Sequence, residues 1–208
     1  MKDYPSVPGA RGQQFREIAN AVVFGKLDGS SMRSEWNRKR GWYKHGRRTG
    51  LLDDSNPQLV LVPRLFEEQL GELLGRVARD SRWQNVVVYY EFWGAQSVAG
   101  LHVADDPKFL TVFDVAPEGE MLGPVEFRRA LEDRVATAPY LGTMNWTRGL
   151  VEQIRRGELE GLPFEGAVGK AKERRSTEIL RAKAKTQAWM DRVLEIHGAE
   201  RGQRLIES

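Results

Sequence analysis

The chain has no cysteine among its 208 residues. Disulfides, thiolate metal sites and a cysteine nucleophile are therefore excluded. No apolar run approaches the ~18 residues that a membrane-spanning helix needs. The opening residues, Met1-Lys2-Asp3-Tyr4-Pro5, lack the apolar stretch of a signal peptide. Histidine is scarce. His45, His102 and His197 are too scattered to suggest a metal site and are given no role. The excess of one charge is small, a formal +3. No internal repeat or low-complexity segment is visible. What remains is an ordinary globular composition, 40% apolar and 29% charged, long enough for one domain with a real core. A cytoplasmic protein with no membrane association is expected.

The basic residues that are present are unevenly placed. Arg33, Arg38, Lys39, Arg40, Lys44, Arg47 and Arg48 crowd one segment around Trp36, Trp42 and Tyr43. A second group runs from Lys170 to Lys185. Cations interleaved with aromatics suit a phosphate backbone, so the segments Arg33–Arg48 and Lys170–Lys185 are the expected nucleic-acid contacts.

Periodicity gives the elements. A short helix is expected over Gln13–Asn20 and a buried strand over Ala21–Phe24. A hairpin of Ser34–Tyr43 with Lys44–Leu52 would turn at Arg40–Trp42. Pro63–Arg79 is the clearest helix, with Leu65, Phe66, Leu70, Leu73, Leu74 and Val77 on one face. Strands are expected at Val86–Phe92, Phe109–Val115 and Phe164–Lys170, and helices at Pro124–Val135 and Trp146–Gly157. Residues 176–197 fit either type. Alternation over Ile179–Lys185 sets Leu180, Ala182 and Ala184 against Arg181, Lys183 and Lys185. The segment is therefore split into a strand to Lys185 and a helix from Gln187 to His197, ended by Gly198. Without a regular β-α-β alternation, the class is α+β.

The candidate chemistry begins at Phe24-Gly25-Lys26-Leu27-Asp28-Gly29-Ser30-Ser31. One lysine stands in a glycine-flanked turn after an apolar run and reads as a covalent nucleophile. A lysine amine attacks phosphorus only when unprotonated, which needs desolvation or neighbouring cations. Alone, the stretch reads first as a surface turn. Further candidates follow in order. Arg48 lies in Arg47-Arg48-Thr49-Gly50, and Glu91 in Tyr90-Glu91-Phe92-Trp93-Gly94, where an acid in an apolar strand needs a partner. Then come Phe113-Asp114, Glu165 in Glu165-Gly166-Ala167-Val168-Gly169-Lys170, and Lys183-Ala184-Lys185. Gly166–Lys170 lacks phosphate-loop spacing, and Ser30 and Ser31 lack a nucleophile-elbow setting.

This ordered set resembles the motifs of the covalent nucleotidyltransferases, the superfamily of polynucleotide ligases and capping enzymes. It is most similar to ATP-dependent RNA ligases of the nick-sealing bacteriophage type, over residues 21 to about 197. The resemblance implies a nucleotidyltransferase (ATP-grasp-like ligase) domain, with antiparallel sheets and flanking helices around an ATP cleft. It implies that Lys26 attacks the α-phosphate of ATP to form lysyl-AMP. Lys183 and Lys185 would grip that phosphate and could lower the pKa of Lys26. Arg48 would bind a phosphate, Glu91 the ribose hydroxyls and Phe113 the adenine. Glu165 would hold Mg2+ or Mn2+. Asp28 and Asp114 are read as structural or as supports for the contacting residues.

The pattern departs from that family at Ser31, where an Asn is common. Only 23 residues follow Lys185. The expectation is a single adenylyltransferase domain over 1–208 with no oligonucleotide-binding barrel or other C-terminal domain. Its place would be taken by the basic segment or by a partner protein. Joining of RNA ends, including nicked duplexes, is the expected activity. A minimal DNA nick ligase and a non-catalytic nucleic-acid-binding module are the alternatives. The compact form points to a virus or a small repair system.

Overall fold

The apolar run at 21–24 is the middle of an extended segment. In a computed structural model that describes residues 3–9, 15–52, 59–173 and 176–207, strand β1 covers Ile18–Lys26. The helix expected at Gln13–Asn20 is not there. Gln13 and Gln14 lie outside the described residues, and Ile18–Asn20 already belong to β1, paired with a partner strand from Ile18 onward. Pairing with a neighbouring strand overrides a weak local helix preference.

Contact density divides the chain into two compact units. One holds Met1–Pro5 and Gly29–Thr137, the other Ser6–Asp28 and Ala138–Ser208. Each is built on one four-stranded antiparallel sheet, so the class is α+β.

In the first unit the strands are β2 (Gly29–Asn37), β3 (Gly41–Arg47), β4 (Asn85–Trp93) and β5 (Phe109–Pro117), in the order β3-β2-β4-β5. The hairpin turns at residues 38–40 rather than at Arg40–Trp42, because Trp36 pairs with Trp42 and Asn37 with Gly41. The long helical stretch is three pieces: α1 (Val62–Phe66), a π turn (Glu67–Gly71) and α2 (Glu72–Asp80). The wider turn rotates the following residues. Phe66, Leu70, Leu74 and Val77 are buried as expected, but Leu73 turns outward. The Trp42 indole donates to the Gly71 carbonyl at 2.9 Å, inside the widened turn. Phe66 in turn packs on Trp42 and Tyr90, so these helices cover one face of the sheet. Helix α3 (Pro124–Leu131) stops before the expected Val135.

In the second unit, β6 (Tyr140–Trp146), β1, β7 (Gly166–Lys172) and β8 (Ile179–Lys185) run in that order. Trp146 closes β6 and does not open a helix. Thr147 instead accepts from the Leu150 N–H and caps α4 (Arg148–Arg156), which ends at the left-handed Gly157. Ile18, Val23, Trp146, Leu150, Ile154, Ala167, Ala182 and Ala184 form the core. Helix α5 (Gln187–His197) starts and ends as the sequence predicts, and α6 (Ala199–Glu207) follows it. No described helix is long and apolar enough to cross a membrane.

Candidate active site

Lys26 is the last residue of β1, opposite Gly166 of β7, which in turn pairs with Lys185 of β8. The lysine, the residue after Glu165 and the second β8 lysine are thus neighbours across three adjacent strands. Gly166 permits this. Its φ of +149° is one that side chains avoid, and a Cβ there would overlap the Ala184 carbonyl.

The result is a charged group inside the second unit. The Lys26 ammonium donates to Glu165 Oε2 at 2.8 Å, and Lys185 Nζ lies 3.8 Å from Glu165 Oε1. The Glu165 side chain is 5% exposed and that of Lys185 8%, whereas Lys26 retains 25%. The nucleophile candidate is the accessible member. Burial pushes the Lys185 ammonium down to about 8; Glu165 opposes that shift, while Lys26 and Lys183 add to it. Lys183 is buried beside them, its backbone N–H given to the Pro8 carbonyl at 3.1 Å. The face bearing Lys183 and Lys185 is therefore not a solvated one.

Two connections close this group. Thr186 donates its N–H to the Glu165 carbonyl and its hydroxyl to the Phe164 carbonyl, at 2.9 and 2.6 Å. It also accepts from the Trp189 N–H and so caps α5. Lys185 Nζ donates to the carbonyls of Leu205 and Ile206, each at 3.0 Å, so the last turn of α6 is held by the same cation. Among the described residues no three His, Asp or Glu side chains gather as metal ligands. A divalent cation at Glu165 would take most of its oxygens from a bound phosphate chain, a set that magnesium commonly adopts.

Arg48, Glu91 and Phe113 belong to the first unit. Glu91 is half-buried and pairs with Ser31 and Thr111. Phe113 falls at a β-bulge: Val112 opposes Tyr90 and Asp114 opposes Tyr89, so the register shifts across it. A bulge re-aims a side chain. Tyr4 stacks edge-on against Phe113, touches Tyr89 and donates to Asp114 at 2.5 Å. Tyr89 and Glu91, two apart on β4, share a face, so Glu91 and Phe113 lie on the same side of the sheet, away from α1 and α2.

Arg33, opposite Tyr89, faces that side too, and here an expectation fails. It is 2% exposed, paired with Asp3 at 2.6 Å and donating to the carbonyls of Arg48 and Gly50. Arg33 therefore anchors the loop that carries the exposed Arg48. It is not a surface contact for nucleic acid. Lys170 is likewise buried, over the Phe24 ring. Arg174 and Arg175 of the second basic segment lie outside the described residues. The exposed cations of the first segment are Arg38, Lys39, Arg40, Lys44 and Arg48, with Arg40 and Lys44 flanking the Tyr43 ring. Sequence reasoning missed Arg33 as a loop anchor, and Thr186 and Trp189 altogether. A Thr directly before an expected helix start was an available capping signal for the second; nothing local marked the other two.

A sequence model of the family described as RNA ligase matches residues 19–185. No curated protein matches the sequence. Among solved structures, an archaeal ATP-dependent RNA ligase superposes with a TM-score of 0.65 at 17% identity, over 94% of this chain and 51% of that one. A Naegleria gruberi RNA ligase with AMP and Mn gives 0.56 at 16% identity, over 83% and 51%. The same organism's ligase with PPi gives 0.53 at 22% identity, over 83% and 51%. The chain spans about half the length of these relatives, and identities this low speak to a shared fold.

Proposed function

Because this chain belongs to the RNA ligase family, we propose that it is an ATP-dependent RNA ligase acting through a covalent AMP on Lys26. The observation that carries the reading is the accessible Lys26 amine held at 2.8 Å from Glu165, with the buried cations Lys183 and Lys185 beside it.

In the first step the Lys26 nitrogen forms a bond to the α-phosphorus of ATP, and the bond from that phosphorus to the pyrophosphate oxygen breaks. The proton that Lys26 must lose can pass to Glu165, its hydrogen-bond partner. Lys185 exchanges the carbonyls of Leu205 and Ile206 for phosphate oxygen, and with Lys183 stabilises the charge that develops there. Such preplaced donors are worth about 3 kcal/mol each. Mg2+ or Mn2+ held by the phosphates, and by the Glu165 carboxylate once the proton has left it, would supply further neutralising charge. The AMP then passes to a 5′-phosphate end, and a 3′-hydroxyl attacks to release it. Arg48 is assigned to a phosphate, Glu91 to ribose hydroxyls and Phe113 to adenine. The exposed hairpin cations Arg38, Lys39, Arg40 and Lys44, with Tyr43, are assigned to RNA.

We assign the first step to residues 1–208 acting without a further domain. Incubation with α-labelled ATP and Mg2+, followed by denaturation, should leave label on the wild-type chain and none on Lys26→Ala. An unlabelled wild type, or a labelled variant, rejects the mechanism. Nicks with ribose or deoxyribose 3′ ends separate RNA from DNA joining: equal sealing of both overturns the RNA assignment.

A further inference from the structure

One indole closes a loop through four charged residues. Trp189 lies in the first turn of α5 and is 1% exposed. Its Nε1–H donates to Asp28 Oδ2 at 2.5 Å, and its ring face receives the Lys185 ammonium, 4.5 Å from the centroid. Asp28 is two residues beyond Lys26. Lys26 meets Glu165 at 2.8 Å, and Glu165 meets Lys185 at 3.8 Å. The path therefore runs Trp189, Asp28, Lys26, Glu165, Lys185 and back to Trp189.

The indole has little freedom of its own. Thr186 receives the Trp189 backbone N–H at 3.1 Å while its own N–H and hydroxyl are given to Glu165 and Phe164. The first turn of α5 is thereby fixed to the segment that carries the acid. A buried indole N–H requires an acceptor, and a backbone carbonyl would serve packing equally well. Here the acceptor is a carboxylate on the nucleophile-bearing segment, while the opposite resource of the ring, its negative face, is spent on a second lysine.

We infer that Trp189 is a positioning residue: it fixes the Lys26–Asp28 segment through its N–H and Lys185 through its ring, and so sets the separation of the two amines. The inference rests on the proposed function, since it assigns Trp189 a part in lysyl-AMP formation. Displacing reacting groups by about 1 Å can cost on the order of a hundredfold in rate.

Trp189→Phe separates the two tasks. It retains a ring for Lys185 and loses the donor to Asp28. The measurement is the single-turnover rate of Lys26 labelling from α-labelled ATP, with the half-saturating ATP concentration and thermal midpoint read on the same samples. Trp189→Phe should slow labelling at saturating ATP by about tenfold or more, with half-saturation unchanged within about twofold. Asp28→Ala should slow it comparably, and the double variant should be no slower than the slower single one, because both remove the same bond. In ¹⁵N-labelled protein, the indole resonance lost in Trp189→Phe should shift in Asp28→Ala. Independent, multiplying effects of the two substitutions overturn the inference. So does a rate loss matched by a lowered midpoint and raised half-saturation, as packing alone would give. A wild type that takes no label defeats the proposed function instead, whereas a labelled wild type with an unaffected Trp189→Phe defeats only this role.

Discussion

Glu165 has one charge to offer and two lysines to face. Its Oε2 is taken by Lys26 and its Oε1 looks toward Lys185. Removing the charge and keeping the shape, in Glu165→Gln, leaves two ammonium groups with no counter-charge between them. Breaking a buried pair in this way typically costs 3–5 kcal/mol. With Lys26 partly exposed, about 2 kcal/mol is the expected loss, read by denaturant unfolding. If Glu165 takes the Lys26 proton as proposed, labelling of Lys26 should fall at least about a hundredfold. These residues were legible from their order along the chain. The roles of Arg33 and Trp189 were not. A basic residue in a basic stretch reads as surface, and only the fold shows that Arg33 is spent on Asp3 and the loop carbonyls of 48 and 50.

His102 gives a second residue-scale outcome. Its ring lies between Ser30 and Ser97, at 2.9 and 3.0 Å, and against Phe92. Burial, aided by Lys108 and opposed by Asp106, pushes it down to about 4. The folded value lies below the ordinary 6.5, so the neutral ring favours folding. That contribution is complete above pH 6.5 and is lost progressively as the pH falls through about 4. Wild-type stability should therefore fall by on the order of 2 kcal/mol more than that of His102→Gln between pH 7 and pH 4, measured by denaturant unfolding.

At the scale of elements, the sheets were readable where strands are central and apolar. The edge strand β6 was not, because Pro139, Gly142 and mixed burial leave Tyr140–Trp146 no alternating pattern. The exchange of strand for helix at Lys185 was legible because the alternation over Ile179–Lys185 stops there and Gly198 closes α5. The π turn was invisible, since a single extra residue per turn changes the burial of Leu73 without altering composition. Gly169 shows what the β7 motif contributes to packing. A Cβ there would run into the Trp146 ring, nearest Cε3, and Trp146 is fully buried. Gly169→Ala forces a strand or an indole to move, at about 1–3 kcal/mol. A thermal midpoint lower by roughly 2–4 °C per kcal/mol is the expected result for a chain of this size, and an unchanged midpoint would show that β7 and Trp146 pack more loosely than described.

At the scale of the whole molecule the small net charge of +3 conceals a division of labour among cations. Lys170, Lys183, Lys185 and Arg33 are buried and held by the fold. Arg38, Lys39, Arg40 and Lys44 are exposed on or beside β3, the edge strand of its sheet, and Arg40 and Lys44 bracket Tyr43. The local acid is Glu35, which accepts from Tyr43 at 2.9 Å and leaves the surrounding cations in excess. Composition could not separate the two classes, because a lysine in a strand and a lysine in a turn count alike. If the exposed set holds an RNA backbone, each contact releases a counterion, and log affinity falls with log salt by about 0.7–0.9 per phosphate neutralised. Replacing Arg38, Lys39, Arg40 and Lys44 by Gln together should flatten that slope by about 3 and weaken binding at low salt far more than at high salt. The control is Arg192→Gln on α5, where an exposed cation already pairs with Glu195 and the slope should not move. Fluorescence anisotropy of a labelled nicked RNA duplex across a salt series reads both variants, and an unchanged slope in the fourfold variant would remove the hairpin from the RNA-binding surface.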